Sequence, residues 1–182
     1  KAAALDIKTI CPLHGPVLTE NLGYYIDKYN TWSSYAPEDK GVLVAYASIY
    51  GGTKKAAELL GEKLTAAGVE KVVVSDLARS DMAEVIEDAF RYDRMVVAAP
   101  TYDAGLFPVM EDFLNHLKAK NYSNRKVGVV ENGTWAPMAA KKMTEILSSL
   151  KNVTLAETVV TVKSTLSAES EAAMDKLVSE LL

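Results

Sequence analysis

The sequence predicts an α/β protein built on a doubly wound, five-stranded parallel sheet. Three observations carry that expectation. Short apolar runs recur five times after Gly41, and each is followed by a segment whose apolar residues have helical spacing. Clusters of hydroxyl residues, glycine and aromatics stand directly after the first, third and fourth runs. Parallel neighbours need crossover connections, and a helix after each strand supplies one and covers a face of the sheet.

Residues 42–47 are a continuous apolar run, as expected of a strand buried on both faces. Residues 53–67 place Ala56, Ala57, Leu60, Leu64 and Ala67 on one helical face, and Gly68 suits the position just past a helix end. Residues 71–75 form the second predicted strand. Asp81 with Glu84 three residues on has the form of a capping box, opening a helix to about Phe90. Residues 95–99 are the third strand, and Pro108 stands in the first turn of a helix carrying Met110, Phe113, Leu114 and Leu117. Residues 127–130 are the fourth, and Pro137 is likewise placed to start a helix with Ala140, Met143, Ile146, Leu147 and Leu150. Residues 159–162 are the fifth, and residues 167–182 form a helix with Ala173, Leu177 and Leu181 at spacing four. Residues 1–40 lie outside the alternation: a strand-like stretch over 7–10, a turn region around His14, and a predicted helix rich in Tyr24, Tyr25, Tyr29 and Trp32.

With 182 residues, 49% hydrophobic and 24% charged, the chain has ordinary globular composition. Its net charge of −4 includes no basic cluster, which argues against nucleic acid or an anionic membrane as a partner. No apolar run approaches the roughly 18 residues of a membrane-spanning helix, and no signal-peptide pattern opens the chain. Cys11 is the only cysteine, so no internal disulfide can form, and a reducing, cytoplasmic setting is expected. The first residue is Lys1 rather than Met, and the chain is expected to be a fragment.

In an open parallel sheet, ligands bind beyond the carboxyl ends of the strands near the point where strand order reverses. The cluster Ser48, Ile49, Tyr50, Gly51, Gly52, Thr53 occupies that place. Its glycines let backbone N–H groups turn inward, its hydroxyls add donors, and the following helix presents its positive end. Such a loop is an anion cradle; a helix-capping turn without a ligand is the alternative. Lys54 and Lys55 follow the threonine, so the order of a nucleoside-triphosphate loop is missing, and both lysines are read as solvated. The second cluster is Pro100, Thr101, Tyr102, Asp103, Ala104, Gly105, and the third is Asn132, Gly133, Thr134, Trp135. Tyr102 and Trp135 suit the faces of a flat ring whose polar edge backbone amides would meet; packing against a neighbouring helix is the alternative for each.

The runs 48–53, 100–108 and 131–137 resemble the three FMN loops of the flavodoxin-like domain of flavodiiron proteins, also called A-type flavoproteins. Residues 10–17 resemble the last segment of that family's metallo-β-lactamase-like domain, in which the histidine, here His14, is an iron ligand. The resemblance spans essentially the whole chain. It implies a flavodoxin-like fold with strand order 2-1-3-4-5, FMN held by the residues of the three clusters, and a division into a metallo-β-lactamase remnant with a linker helix (1–40) and an FMN-binding domain (41–182). It also implies electron transfer from a rubredoxin or flavin-reductase type of donor, through FMN, to a diiron domain that reduces oxygen or nitric oxide. A head-to-tail homodimer would bring each flavin near the other subunit's metal. The fragment alone is expected to carry electrons and to hold no metal, since His14 and Cys11 supply two of the four ligands zinc would want. His116 is read as a surface or packing residue. Two residues depart from the family pattern: Gly52 stands where asparagine is common, and Asp103 puts a carboxylate near the expected ring. A stand-alone NAD(P)H:quinone reductase of the same fold and a flavin-free interaction domain are the alternatives; the His14 segment and the aromatic linker suit only the first reading.

Overall fold

The computed structural model describes residues 5–182, and the chain divides into two compact units, Lys1–Ala36 and Pro37–Leu182. In the first, helix α1 (Leu22–Ser33) buries none of its residues, and Tyr24 meets Tyr25 edge-on at 5.3 Å. The strand expected over 7–10 reduces to a single antiparallel bridge, Ile10 to Leu18, with both hydrogen bonds at 2.9 Å. Only Ile10 finds a partner there, and a lone pairing cannot extend a ladder.

The second unit begins at Pro37, and its polar opening already belongs to the sheet. The Glu38 N–H donates to the Arg91 carbonyl at 2.9 Å, and β1 (Asp39–Tyr46) starts opposite Tyr92. The Asp39 carboxylate takes Lys71 and Arg91 at 2.8 Å each. Their hydrogen bonds, Lys71 first, hold its carboxyl below the ordinary value of 3.8.

The chain continues as α2 (Gly52–Ala66), β2 (Val72–Asp76), α3 (Met82–Arg91), β3 (Tyr92–Tyr102), β4 (Gly105–Leu106), α4 (Pro108–Ala119), β5 (Arg125–Asn132), α5 (Ala139–Ser148), β6 (Val153–Val162) and α6 (Ala168–Leu181). The parallel strands stand in the order β2-β1-β3-β5-β6, which is the 2-1-3-4-5 order of the five strands expected from sequence. Alternation along each strand sends its side chains to opposite faces. Leu43, Met95, Val97 and Val127 meet α3, α4 and α5 through Val85, Phe113, Leu114 and Met143. Val44, Val96, Val130 and Val160 meet α2 and α6 through Leu60, Leu64, Met174 and Leu177. Each such fully buried side chain contributes about 1.5–3 kcal/mol, so the two helical layers are held mainly by this burial.

Three local features depart from the sequence expectation. A sixth strand, β4, pairs antiparallel with the end of β3, Tyr102 opposite Gly105. The two residues between them, Asp103 and Ala104, have φ of 47° and 54°, as a two-residue primed hairpin turn requires. An Asp-Ala pair lacks the glycine that signals this turn. Pro137 lies outside α5, two residues before its first residue, with Met138 at the N-cap. The last strand begins at Val153 rather than 159, because its first half is a partly exposed edge whose register shifts opposite residues 127–129. At that irregularity the Thr158 N–H donates to Glu180 at 2.9 Å, tying the edge to α6.

At the amino ends of the strands, the buried Arg125 guanidinium donates to the carbonyls of Tyr92 at 2.7 Å and Ser123 at 3.0 Å. Beside it Tyr122 is 1% exposed, its ring edge-on to Phe90, and its hydroxyl has no hydrogen-bond partner among the described residues. An unpartnered buried hydroxyl costs about 1–3 kcal/mol. Tyr122→Phe is therefore expected to leave urea stability unchanged or raise it by about 1 kcal/mol; a clear loss would show that the hydroxyl is satisfied. For Asp39 the sign is that of a carboxyl depressed on folding: its stabilisation is complete above the ordinary pKa and is lost as pH falls through the folded value. Asp39→Asn should accordingly flatten the acid limb of a stability–pH curve below about pH 5 while leaving its shape at neutral pH unaltered.

Candidate functional site

Four strands end on one edge of the sheet, and the segments that follow them enclose a cavity of about 620 Å³. The β1–α2 loop supplies Ser48 to Thr53, with Lys55 beyond it. The end of β3 supplies Pro100 and Thr101; the end of β5 supplies Asn132, Gly133 and Thr134; the β6–α6 loop supplies Ser164, Thr165 and Leu166. The cavity thus lies where the strand order turns back between β1 and β3.

The first turn of α2 is built to leave donors free. Its N-cap, Gly51, has φ of 87° and provides no side-chain cap. The Ser48 hydroxyl accepts from the Gly51 N–H at 3.0 Å, curling the loop, and the Lys55 N–H closes the first helical bond to Gly51. Among the described residues no acceptor meets the N–H groups of Gly52, Thr53 and Lys54. Thr53 is 2% exposed and its hydroxyl makes no hydrogen bond with any described residue. No acidic residue stands in this turn. Three amides, the hydroxyl of the buried Thr53 and the positive helix end are therefore left without an anion from the described residues.

Gly52 is needed for a second reason. A Cβ there would stand 2.2 Å from the Ser164 carbonyl oxygen and 2.9 Å from the Asn132 side-chain nitrogen. Asn132 grips the β6–α6 loop at both ends: its nitrogen donates to the Ser164 carbonyl at 3.3 Å, and its oxygen accepts from the Ser164 N–H at 3.0 Å. Ser164 itself takes a φ of 69°, and its hydroxyl lies 2.7 Å from that of Thr134. The asparagine that the resembled family carries at position 52 finds no room while this loop is closed. The Asn132 amide stands in the space it would enter.

The third loop is set by α5, which receives no cap from its own N-cap residue. The Thr101 hydroxyl accepts from the N–H groups of Met138 at 2.8 Å and Ala139 at 3.1 Å. Glu131, 7% exposed, accepts from the Ala140 N–H at 2.9 Å and from the Thr161 hydroxyl at 3.0 Å. β3 and β5 thus reach across to cap a helix whose sequence holds no cap, fixing the 133–137 loop between them.

Of the residues expected from sequence, all of the first cluster, Pro100, Thr101, Asn132, Gly133 and Thr134 line the cavity. Tyr102, Asp103, Ala104, Gly105 and Trp135 do not; they continue the chain from lining residues. Tyr102 is half exposed and edge-on to Phe107 at 5.6 Å, while Trp135 is 90% and Tyr50 98% exposed. Sequence reasoning missed the β6–α6 loop, although the run Ser164-Thr165 after the fifth strand is the same hydroxyl signal as the others. It also read Lys55 as solvated together with Lys54; Lys54 pairs with Glu58 at 3.7 Å, whereas Lys55 lines the cavity. Cys11 and His14 are exposed, His116 is partly exposed on α4 with its ring bonded to the Asp112 carbonyl at 2.9 Å, and no described group of three potential ligands gathers around a metal position.

Two substitutions test this construction. Thr101→Val removes the acceptor for two amides at the start of α5 and is expected to cost about 1–2 kcal/mol in urea unfolding; an unchanged midpoint would place the cap elsewhere. Gly52→Ala forces the Ser164 loop outward and should cost about 1–3 kcal/mol, detectable in the same measurement, with no loss if the loop yields freely.

The family model described as flavodoxin matches residues 44–176. An uncharacterized protein of Methanocaldococcus jannaschii is 31% identical over 80% of this chain and 37% of its own length. The nitric oxide reductase of Moorella thermoacetica is 32% identical over 84% of this chain and 38% of its own length. Among solved structures, the rubredoxin oxygen:oxidoreductase of Desulfovibrio gigas superposes with a TM-score of 0.90 at 20% identity, over 99% of this chain and 45% of that one. The chain therefore spans well under half the length of these relatives.

Proposed function

Because this chain belongs to the flavodoxin family, whose cofactor is FMN, we propose that it is the FMN-binding electron-transfer module of a flavodiiron protein. The observation that carries the reading is the cradle: three unpaired amides and the Thr53 hydroxyl at a helix start, beneath loops that expose Tyr50, Tyr102 and Trp135. In this reading the amides of Gly52, Thr53 and Lys54, with the hydroxyls of Ser48 and Thr53, hold the phosphate. Five charge-assisted hydrogen bonds supply about 8–15 kcal/mol before ordering costs, enough for tight binding without a salt bridge. Thr134, Gly133 and Asn132 border the ribityl chain. Tyr102 and Trp135 flank the ring, with Asp103, Ala104 and Gly105 shaping the turn beside it.

When bound, FMN supplies one- and two-electron chemistry, and the chain's own residues anchor the tail, orient the ring and shed water from its faces. Apart from His14, the metal ligands would lie in the part of the relatives that this chain does not span. Similarity to a nitric oxide reductase and to a rubredoxin oxygen:oxidoreductase supports a diiron domain as the electron acceptor, and oxygen or nitric oxide as its substrate. A rubredoxin or flavin-reductase type of donor, a head-to-tail homodimer and the assignment of residues 1–40, with His14, to the end of a metal-binding domain belong to the same proposal. So does a cytoplasmic setting, with which a single cysteine agrees.

A fluorescence titration tests the proposal. FMN emission is expected to quench saturably at one equivalent of the 182-residue chain. Trp135→Ala is expected to weaken binding by about 1–3 kcal/mol, the worth of lost stacking and buried area. A chain that leaves FMN emission unchanged would refute the module; an unaltered affinity in the variant would remove the indole from the ring.

A further inference from the structure

Lys55 is the one charged residue among those that line the cavity, and no carboxylate lines it. Its position is unfavourable by local rules: in the first turn of α2 a cation faces the positive end of the helix dipole. Lys54, one residue earlier, has the same handicap but forms an ion pair with Glu58. Lys55 has no ion pair with any described residue. A charge placed against the local field, without a compensating partner in the chain, marks a residue whose partner comes from elsewhere.

What surrounds it indicates the partner's chemistry. The amides of Gly52, Thr53 and Lys54 lack acceptors, and the Thr53 hydroxyl, on a residue 98% removed from solvent, is unpartnered beside the same cavity. All are donors, and together with an ammonium they match a dianionic phosphate monoester rather than a neutral hydroxyl. An ammonium is a compact point charge, so its effect is a field that salt screens, whereas the amides act through geometry that salt leaves unchanged.

We infer that Lys55 is a specificity-determining residue that recognises the phosphate of the flavin nucleotide by charge, so that the pocket separates FMN from riboflavin electrostatically as well as by hydrogen bonding. This rests on the FMN reading above. The Lys54 side chain is excluded from the role by its pairing with Glu58.

The experiment is a set of quenching titrations with FMN and with riboflavin, on the 182-residue chain and its Lys55→Gln, Lys55→Arg and Lys151→Gln variants, at low and high sodium chloride. Lys55 is exposed on the helix surface, so the variants are expected to melt with the parent. At low salt Lys55→Gln should bind FMN about tenfold more weakly, the scale of one partly screened charge-assisted contact. Its riboflavin affinity should stay within about twofold, because that ligand carries no phosphate to feel the charge. The difference from the parent should shrink at high salt, and Lys55→Arg should restore most of it. Lys151→Gln, which removes the same charge from an exposed turn outside the cavity, should behave as the parent. Equal FMN affinity in Lys55→Gln and the parent, an equal loss toward both flavins, or an equal loss in Lys151→Gln would overturn the inference while leaving FMN binding intact. A parent chain that binds neither flavin would overturn the FMN reading and this inference with it.

Discussion

The amide of Asn132 holds the backbone of Ser164 by its N–H and its carbonyl at once, and the shape of the candidate site depends on that grip. It draws the β6–α6 loop so near the first turn of α2 that only a residue without a side chain fits at position 52. The cradle is consequently assembled from two loops separated by more than a hundred residues. Neither holds its shape alone: the first curls on one hydroxyl contact, Ser48 to Gly51, and the second carries a left-handed Ser164. A parallel sheet supplies the rest, since β1 and β3 in the middle and β5 and β6 beside them all deliver their carboxyl ends to one edge.

Four of the five helix starts on that edge divide into two kinds, and α4 stands between them, with no side-chain cap but Glu111 in its first turn. α3 and α6 are capped by their own N-cap side chains, Asp81 to Ala83 and Ser167 to Ser170, and carry acids in the first turn. α2 and α5 have no cap of their own and no first-turn acid. α5 is satisfied from outside by Thr101 and Glu131, a buried carboxylate whose bonds tie β5, β6 and the helix together. α2 is left unsatisfied. A helix start that receives neither a local nor a borrowed cap, inside a cavity, is the feature that separates a binding site from a structural turn.

The alternation of strands and helices was legible because buried parallel strands are written as apolar runs and the helices carry strong apolar faces. Leu60 and Leu64 on α2, and Phe113 and Leu117 on α4, fall where the spacing placed them. The ends of elements were less legible. The start of β1 is polar, and the Asp103-Ala104 turn adopts a left-handed pair without glycine. The Asp81 cap was readable because it is local, the residue directly before its helix bonding Ala83 two residues on; the Thr101 cap on α5 was not, because it arrives from 37 residues away. At the site, the phosphate-loop pattern announced itself through Gly51 and Gly52. The need for Gly52 came from an unexpected quarter, a Ser164 carbonyl that no local pattern could place.

The account turns on three N–H groups being the seat of the phosphate. The most direct measurement is a nitrogen–proton correlation spectrum of the isotopically labelled chain with and without FMN. The amide resonances of Gly52, Thr53 and Lys54 are expected to move strongly downfield, as donors do on meeting a phosphate oxygen, and riboflavin should move them far less. Resonances of these three residues that stay in place while others respond to FMN would contradict the account.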